Sequence, residues 1–187
     1  MTNSARYSQL QGRVLWITGL SGSGKTTLST EIVRQLREKR SDVISLDGDE
    51  LRKMLAVETN NVRSYDRDAR LKFAMQYAYL SKVLSMQGFI VVIATISMFR
   101  EVYVWNRTNL PGYFEVYLNV PIEELRQRNS KQIYSRFDSG ELKNVAGLDL
   151  HVDEPKRPDL EVLFESNRSI IQLASEVIKS FKLGKKS

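Results

Sequence analysis

The sequence predicts an α/β fold in which helices cover both faces of a parallel sheet. Short apolar segments alternate with segments of helical periodicity along most of the chain. The apolar run at 89–96 shows no polar alternation, as expected of a parallel strand that is buried on both faces. A glycine-rich segment also separates the first apolar run from the first helical segment. Together these observations predict a three-layer α/β/α domain.

The first half of the chain contains four predicted elements. Arg13–Thr18 is a short apolar run and is predicted to be a strand, whereas apolar residues recur at helical spacing over Lys25–Lys39. Val43–Asp47 is predicted to be a second strand, which ends in the polar sequence D-G-D. A long helix is predicted from about Asp66 to Gln87, because its apolar residues share one face and Gly88 follows it.

The second half continues the alternation. Phe89–Ile96 is predicted to be the third strand, Met98–Asn109 a helix and Phe114–Asn119 a fourth strand. Pro121 opens a further helix, at the first turn, where proline is tolerated. A closing helix is predicted over Leu160–Phe181 because its apolar residues lie at helical spacing.

Between these elements, the segment at about 129–158 loses its periodicity. It is polar and charged, and glycines and prolines interrupt it. No internal repeat and no low-complexity linker accompanies it. We therefore expect one domain spanning 1–187, with this segment as a mobile lid.

A phosphate-binding motif occupies the glycine-rich segment, where Gly19–Thr26 reads G-L-S-G-S-G-K-T. Glycines let such a loop turn tightly and point its N–H groups at phosphate oxygens, and the following helix adds the positive end of its dipole. Lys25 would reach the β- and γ-phosphates, and the Thr26 hydroxyl would ligate Mg²⁺. The predicted fold class is therefore a P-loop NTPase three-layer sandwich that binds ATP. The predicted ATP-binding residues here are Gly19, Ser21, Gly22, Ser23, Gly24, Lys25, Thr26 and Thr27.

Composition excludes several other classes of protein. The longest apolar run is far shorter than the ~20 residues that span a bilayer, the polar segment 1–11 does not resemble a signal peptide, and the chain has no cysteine. We therefore expect a cytoplasmic protein without a membrane partner. The net charge of +6 is spread over separate segments without alternating aromatic residues, so a nucleic-acid partner is not expected.

Among P-loop proteins, the residues after the second strand indicate a small-molecule kinase. The motifs N-K-x-D and L-S-G-G-Q, which mark guanine-binding switches and transport ATPases, are absent from the sequence. Asp47 and Asp49 instead stand at the carboxyl end of a strand, where open α/β sheets bind ligands. One carboxylate can accept a hydroxyl proton and the other can help hold hydrated magnesium, while Arg52 neutralises phosphate on the acceptor. A polar turn without function is the alternative explanation of D-G-D.

A series of motifs in the expected order gives a family resemblance. After the P-loop come L-D-G-D-x-x-R at Leu46–Arg52 and Asp66-Arg67, and I-S-x-F-R follows at Ile96–Arg100. The series continues with R-x-x-K-x-x-Y at Arg128–Tyr134 and G-E-L-K-N-x-x-G-L-D at Gly140–Asp149. In these motifs the chain resembles adenylylsulfate kinases, which phosphorylate the ribose 3'-hydroxyl of adenosine 5'-phosphosulfate. Members of this family are often homodimers.

The resemblance implies specific roles for the motif residues. Asp49 would be the general base, Asp47 a magnesium partner beside Thr26, and Lys25 the catalytic lysine. Arg128 would lie near the ATP base. Residues implied to contact the acceptor are Arg52, Arg67, Ile96, Ser97 and the lid residues Lys131, Tyr134, Lys143 and Asn144. Ser97 matches a serine that some members phosphorylate or use as a contact, and its alternative role is a strand-end hydroxyl.

The chain departs from the family pattern around the acceptor base. Two aromatic residues that sandwich adenine in adenylylsulfate kinases correspond here to Val62 and Val145, and a family asparagine corresponds to Arg70. Stacking on an aromatic ring contributes about 1 to 3 kcal/mol per base, so the loss of both rings would weaken the binding of adenine. Tyr65 could supply one of the two rings. The family also includes capsule-cluster relatives that phosphorylate cytidine diphosphoramidate at the same hydroxyl. The resemblance therefore implies a small anionic nucleotide as the acceptor, with adenosine 5'-phosphosulfate and cytidine diphosphoramidate as the main candidates and another anionic nucleotide as a further alternative.

A different class of function is a nucleotide-binding regulatory protein that has lost catalysis. No catalytic position of the family motifs is missing from the sequence, which argues against it. Acceptor-dependent ADP release discriminates between the two classes.

Overall fold

Five parallel strands form the centre of the fold in the computed structural model, which describes residues 12–56 and 66–183. The strands are β1 (Arg13–Thr18), β2 (Val43–Asp47), β3 (Ile90–Ala94), β4 (Phe114–Asn119) and β5 (Leu160–Leu163). Their order in the sheet is β2-β3-β1-β4-β5, and each neighbouring pair is parallel. The carboxyl ends of all five strands therefore lie at one edge of the sheet.

Helices connect these strands. They are α1 (Lys25–Arg37), α2 (Gly48–Ala56), α3 (Arg67–Met86), α4 (Arg100–Asn109), α5 (Ile122–Arg128), α6 (Ile133–Asp138) and α7 (Ile170–Leu183). A short 3₁₀ helix at Ser130–Gln132 joins α5 to α6. None of the helices in the described ranges is both long and apolar enough to span a bilayer.

The sheet has a separate hydrophobic core on each face. Leu15 and Ile17 of β1 pack in a cluster with α1 and α7, whereas Val14 and Trp16 of the same strand pack with α3 and α4. Alternate residues of a strand point to opposite faces, so an apolar run is required when helices cover both sides. This arrangement confirms the predicted three-layer sandwich.

The prediction of a closing helix from Leu160 was wrong over its first ten residues. Leu160–Leu163 forms the edge strand β5, in which Leu160 pairs with Val116, and α7 begins only at Ile170. Val162 is buried while Leu163 is 60% exposed, which is strand alternation. Four residues are too few for periodicity to distinguish an edge strand from the first turn of a helix.

The structure also shows a helix where the sequence suggested only a polar end to β2. The D-G-D sequence begins α2, because the Asp47 carboxylate accepts a hydrogen bond from the Asp49 backbone N–H at 2.8 Å. Two acidic residues, Asp49 and Glu50, lie in the first turn, where they interact favourably with the helix dipole. The carboxylates therefore lie at the start of a helix that faces the phosphate-binding loop.

Candidate active site

The loop between β1 and α1 has the backbone of a phosphate-binding loop. Gly19, Gly22 and Gly24 all have positive φ, at 151°, 81° and 95°. A side chain at Gly19 would also collide with the sheet, since its Cβ would lie 2.7 Å from the Leu118 carbonyl oxygen. Glycine is therefore required here by both conformation and space.

Lys25 lies beneath this loop in a partly desolvated position. Its ammonium donates a hydrogen bond to the Leu20 carbonyl oxygen at 2.7 Å. Burial lowers the pKa of Lys25 to about 8, although the carboxylates of Asp49 and Asp47 act to raise it. The buried Ser23 hydroxyl has no hydrogen-bond partner among the described residues. A desolvated cation under a loop of glycine N–H groups fits a site for phosphate.

Thr26 and Asp47 form the predicted magnesium pair. The Thr26 hydroxyl donates to an Asp47 carboxylate oxygen at 3.0 Å, which joins the start of α1 to the end of β2. Within residues 12–56 and 66–183, no group of three or more His, Cys, Asp or Glu residues forms a protein-only metal cage. A hydroxyl and a carboxylate fit Mg²⁺, which keeps several waters and takes further oxygens from the phosphates of its nucleotide.

Asp49 forms an ion pair with the segment predicted to be a lid. Its carboxylate accepts a hydrogen bond from the Lys131 ammonium at 2.5 Å, and both side chains remain more than half exposed. Burial acts to raise the pKa of Asp49, but Lys131, Lys25 and Arg52 outweigh it and hold that pKa below its usual value. The hydrogen bond to Asp49 in turn raises the pKa of Lys131. Asp49 is therefore an ionised carboxylate at neutral pH.

Most of the predicted site residues line one cleft of about 880 Å³ at the carboxyl ends of β1, β2 and β3. From the loop and the two carboxylate positions these are Ser21, Gly22, Gly24, Lys25, Thr26, Thr27, Asp47 and Asp49. From elsewhere they are Arg52, Arg70, Ile96, Ser97, Arg128, Lys131, Lys143, Asn144 and Val145. One continuous cleft thus joins the predicted ATP side to the predicted acceptor side.

Four predicted residues among those described do not line the cleft. Gly19 and Ser23 shape the loop from behind, and the buried Tyr134 donates its hydroxyl to the Ser21 carbonyl oxygen at 2.9 Å. Arg67 instead forms ion pairs with Glu101 and Asp153, at 3.1 Å each. Val62 and Tyr65 lie outside the described residues.

Arg128 and Ser97 both line the cleft. The Arg128 guanidinium donates to the Gly22 carbonyl oxygen at 3.3 Å and lies 4.8 Å from the centre of the Phe164 ring. The buried Ser97 hydroxyl is 2.7 Å from that of Thr95, and the Ser97 backbone has φ of 26°. Arg128 is thus placed beside the phosphate loop, while Ser97 is a buried strand-end hydroxyl.

The sequence interpretation missed two aromatic residues of the cleft. Phe73 and Tyr77 line it from α3, on the same helix face as Arg70. The Tyr77 hydroxyl donates to the Gly48 carbonyl oxygen at 3.1 Å, and burial raises the pKa of Tyr77 to about 12. The signal that could have identified both is their spacing of three and seven residues from Arg70, which places them on one helix face.

The fold and the cleft define a P-loop kinase that transfers a phosphoryl group to an alcohol acceptor. The family model described as adenylylsulphate kinase matches residues 11–163. The chain therefore belongs to the adenylylsulfate kinase family, and it is a phosphotransferase that uses ATP.

Three relatives illustrate the range of this family. The cytidine diphosphoramidate kinase of Campylobacter jejuni is 37% identical over 170 residues, which cover 91% of this chain and 96% of the relative. The adenylyl-sulfate kinase of Halothermothrix orenii is 34% identical over 169 residues, covering 90% and 89%. The structure of the Mycobacterium tuberculosis APS kinase in complex with AMPPNP and APS gives a TM-score of 0.81 at 29% identity, covering 92% of this chain and 98% of the other.

Proposed function

We propose that this chain transfers the γ-phosphoryl group of ATP to the ribose 3'-hydroxyl of cytidine diphosphoramidate. The choice of this acceptor depends on the position of Val145. It lines the cleft, is only 8% exposed, and corresponds to an aromatic residue that stacks on adenine in adenylylsulfate kinases. A small aliphatic wall suits a pyrimidine better than a purine clamp. The similarity to the Campylobacter jejuni enzyme supports the same choice.

Charge and position supply most of the catalysis in this mechanism. Asp49 orients the acceptor hydroxyl and takes its proton, while Lys25 and the loop N–H groups neutralise the transferring phosphoryl group. When bound between Thr26 and Asp47, Mg²⁺ would neutralise charge on the β- and γ-phosphates. Because its pKa is low, Asp49 is a weak base, so its main contribution is to align the hydroxyl for in-line attack.

Lys131 determines when Asp49 is available to the acceptor in this mechanism. In the structure its ammonium is bound to Asp49, so it occupies the position that an acceptor hydroxyl needs. An incoming anionic nucleotide offers the ammonium a phosphate instead, which leaves Asp49 available for the hydroxyl. In this proposal, Asp49 can accept the hydroxyl proton only after a phosphate group has replaced Asp49 as the partner of Lys131.

Adenosine 5'-phosphosulfate is the second candidate acceptor. The solved relative with a TM-score of 0.81 is a complex with AMPPNP and APS, and several curated relatives are named adenylyl-sulfate kinases. Phe73 is an aromatic residue that lines the same cleft from α3, and it could stack on one face of adenine.

The test is acceptor-dependent ADP formation with ATP and Mg²⁺, measured in parallel with both acceptors at low micromolar concentration. We expect a higher kcat/KM with cytidine diphosphoramidate. Val145→Phe should shift the ratio of kcat/KM values toward adenosine 5'-phosphosulfate by about tenfold, because it restores one stacking face. A wild-type preference for adenosine 5'-phosphosulfate would refute the proposed acceptor.

The same assay separates a kinase from an inactive nucleotide-binding protein. Asp49→Asn keeps the size of the side chain but removes the base, so turnover should fall severely while ATP still binds. If ADP release is independent of the acceptor, or if Asp49→Asn is as active as the wild type, the assigned mechanism is wrong. A homodimer, a cytoplasmic location and the lack of a nucleic-acid partner stay predictions, and light scattering of the purified chain tests the first.

A further inference from the structure

We infer that Arg70 is a positioning residue for acceptor specificity: by holding the loop at residues 144–150 against α3, it sets the width of the acceptor base pocket. We call this segment the acceptor loop. The inference rests on the proposed function, because it assigns the pocket beside Val145 to the acceptor base. It gives Arg70 a role that acts through the loop, in addition to its place in the wall of the cleft.

The acceptor loop is closed on itself by one carboxylate. Asp149 accepts hydrogen bonds from the backbone N–H groups of Asn144 and Val145, at 2.8 Å and 2.6 Å. The Val145 carbonyl oxygen in turn accepts the N–H groups of Leu148 and Leu150, at 3.0 Å and 3.2 Å. These bonds make the loop a small rigid unit, so a contact at one end of it determines where Val145 lies.

Arg70 makes such a contact from the neighbouring helix. Its guanidinium donates to the Asn144 carbonyl oxygen at 2.7 Å, next to Val145 in the chain. The Asn144 backbone has φ of 58°, a left-handed conformation that costs energy for a residue other than glycine and must be imposed by its surroundings. Phe73 lies one turn beyond Arg70 on α3 and lines the same cleft as Val145, so this hydrogen bond ties the helix that carries Phe73 to the loop that carries Val145.

Electrostatics reinforce the same link. Burial acts to raise the pKa of Asp149, but the backbone N–H groups of Asn144, Val145 and Asp149 itself and the positive charge of Arg70 together outweigh it and lower that pKa. The helix and the loop therefore attract each other through charge as well as through the hydrogen bond.

A second contact anchors the middle of the acceptor loop to the phosphate-binding loop. Gly147 has φ of 83°, and a Cβ there would lie 2.8 Å from the Leu20 side chain, so the Gly147 backbone packs closely against that side chain. The Leu20 carbonyl oxygen accepts the Lys25 ammonium. Since this anchor does not involve Arg70, removing Arg70 should release the acceptor end of the loop and leave the ATP side in place.

The experiment compares Arg70→Gln with the wild type and with Arg136→Gln. Arg136 is a matched control because it forms an ion pair with Glu141 at 2.6 Å but does not line the cleft. We expect Arg70→Gln to raise the KM of the preferred acceptor about tenfold, as for loss of a charged hydrogen bond, with the KM of ATP changed less than twofold. The ratio of the kcat/KM values for the two acceptors should move closer to one in Arg70→Gln, and Arg70→Lys should restore part of the wild-type ratio.

Hydrogen exchange of the free proteins gives a readout that needs no substrate. Arg70→Gln should speed exchange of the amides at 144–150 without changing those of the phosphate-binding loop, and Arg136→Gln should leave both unchanged. If exchange and acceptor KM are both unaffected, or if Arg70→Gln raises both KM values equally, the inference is wrong. If the wild type prefers adenosine 5'-phosphosulfate, the proposed acceptor fails, yet the ratio of the two KM values still tests Arg70.

Discussion

Binding of ATP should take up a proton, because Lys25 titrates near neutral pH in the free protein. Burial beneath the phosphate-binding loop lowers the pKa of Lys25 to about 8, and the Leu20 carbonyl oxygen is its hydrogen-bond partner. The phosphates of ATP carry full negative charges and should return that pKa to its usual range or above. The pKa is thus lower in the free protein than in the complex, so binding favours the protonated lysine and weakens as pH rises.

The number of protons taken up follows from the pKa of Lys25 in the free protein. With a pKa of about 8, Lys25 is half neutral at pH 8, so binding should take up about 0.5 proton there and about 0.1 at pH 7. The affinity for ATP should fall about tenfold between pH 7 and pH 9, since the protonated fraction falls by that factor. ATP itself is fully ionised in the upper part of this range, so its own titration contributes little.

Isothermal titration calorimetry measures this uptake directly. ATP is titrated at pH 8 in two buffers of different ionisation enthalpy, and the difference in apparent binding enthalpy gives the number of protons. Lys25→Arg is the control, because arginine stays charged throughout and its residual binding should show neither uptake nor a decline with pH. If the wild type takes up no proton at pH 8 and binds ATP equally well at pH 7 and pH 9, the reasoning about Lys25 is refuted.

Three further predictions follow from other contacts. Burial raises the pKa of Glu115 to about 7, so the protonated carboxyl stabilises the fold at low pH and this stability is lost as pH rises. Between pH 4.5 and pH 8, the free energy of unfolding of the wild type, measured with urea, should fall by up to about 3 kcal/mol relative to that of Glu115→Gln. The same pH dependence of unfolding free energy in both proteins would contradict this. Lys131→Met should shift the acidic limb of the pH profile of kcat/KM, which reports the free enzyme, to higher pH, because Asp49 loses the partner that lowers its pKa. Gly48→Ala would place a Cβ 2.7 Å from the Thr95 hydroxyl, so kcat/KM should fall roughly ten- to a hundredfold with the fold intact by circular dichroism.

The sequence predicted the parts of the fold that depend on long apolar patterns. The run at 89–96 indicated a strand covered on both faces, and Val91 and Val92 indeed pack on opposite sides of the sheet. The short edge strand at Leu160–Leu163 was missed because its identity depends on pairing with β4, a contact that local pattern does not contain. The phosphate-binding motif predicted the backbone conformation of its loop, because the glycines are needed there for positive φ.

The acceptor side was less predictable because its geometry is set by contacts between distant segments. The motifs named Arg70, Lys131 and Asn144 as candidates, but no pattern in the sequence shows that Arg70 binds the backbone of Asn144, 74 residues away. Arg67 belongs to the same motif series, yet it pairs with Glu101 and Asp153 away from the cleft. A motif thus identifies which residue types are available, whereas the packing of α3 against the segment at 144–150 decides which of them line the cleft.

Backbone strain in the described residues is concentrated at the same place. All the non-glycine residues with positive φ in residues 12–56 and 66–183 lie in or next to the cleft: Ser97, Asn129, Lys131, Gln132 and Asn144. Each such conformation costs of order 1 to 3 kcal/mol and persists only where surrounding contacts impose it. At Lys131 the ion pair with Asp49 is one such contact, and at Asn144 it is the pair of hydrogen bonds from Arg70 and to Asp149. Because these contacts involve the residues that would bind phosphate and the acceptor, exchanging them for ligand contacts changes the balance that holds the strained backbone. We therefore expect ligand binding at this cleft to be coupled to the conformation of the segment predicted to be a lid.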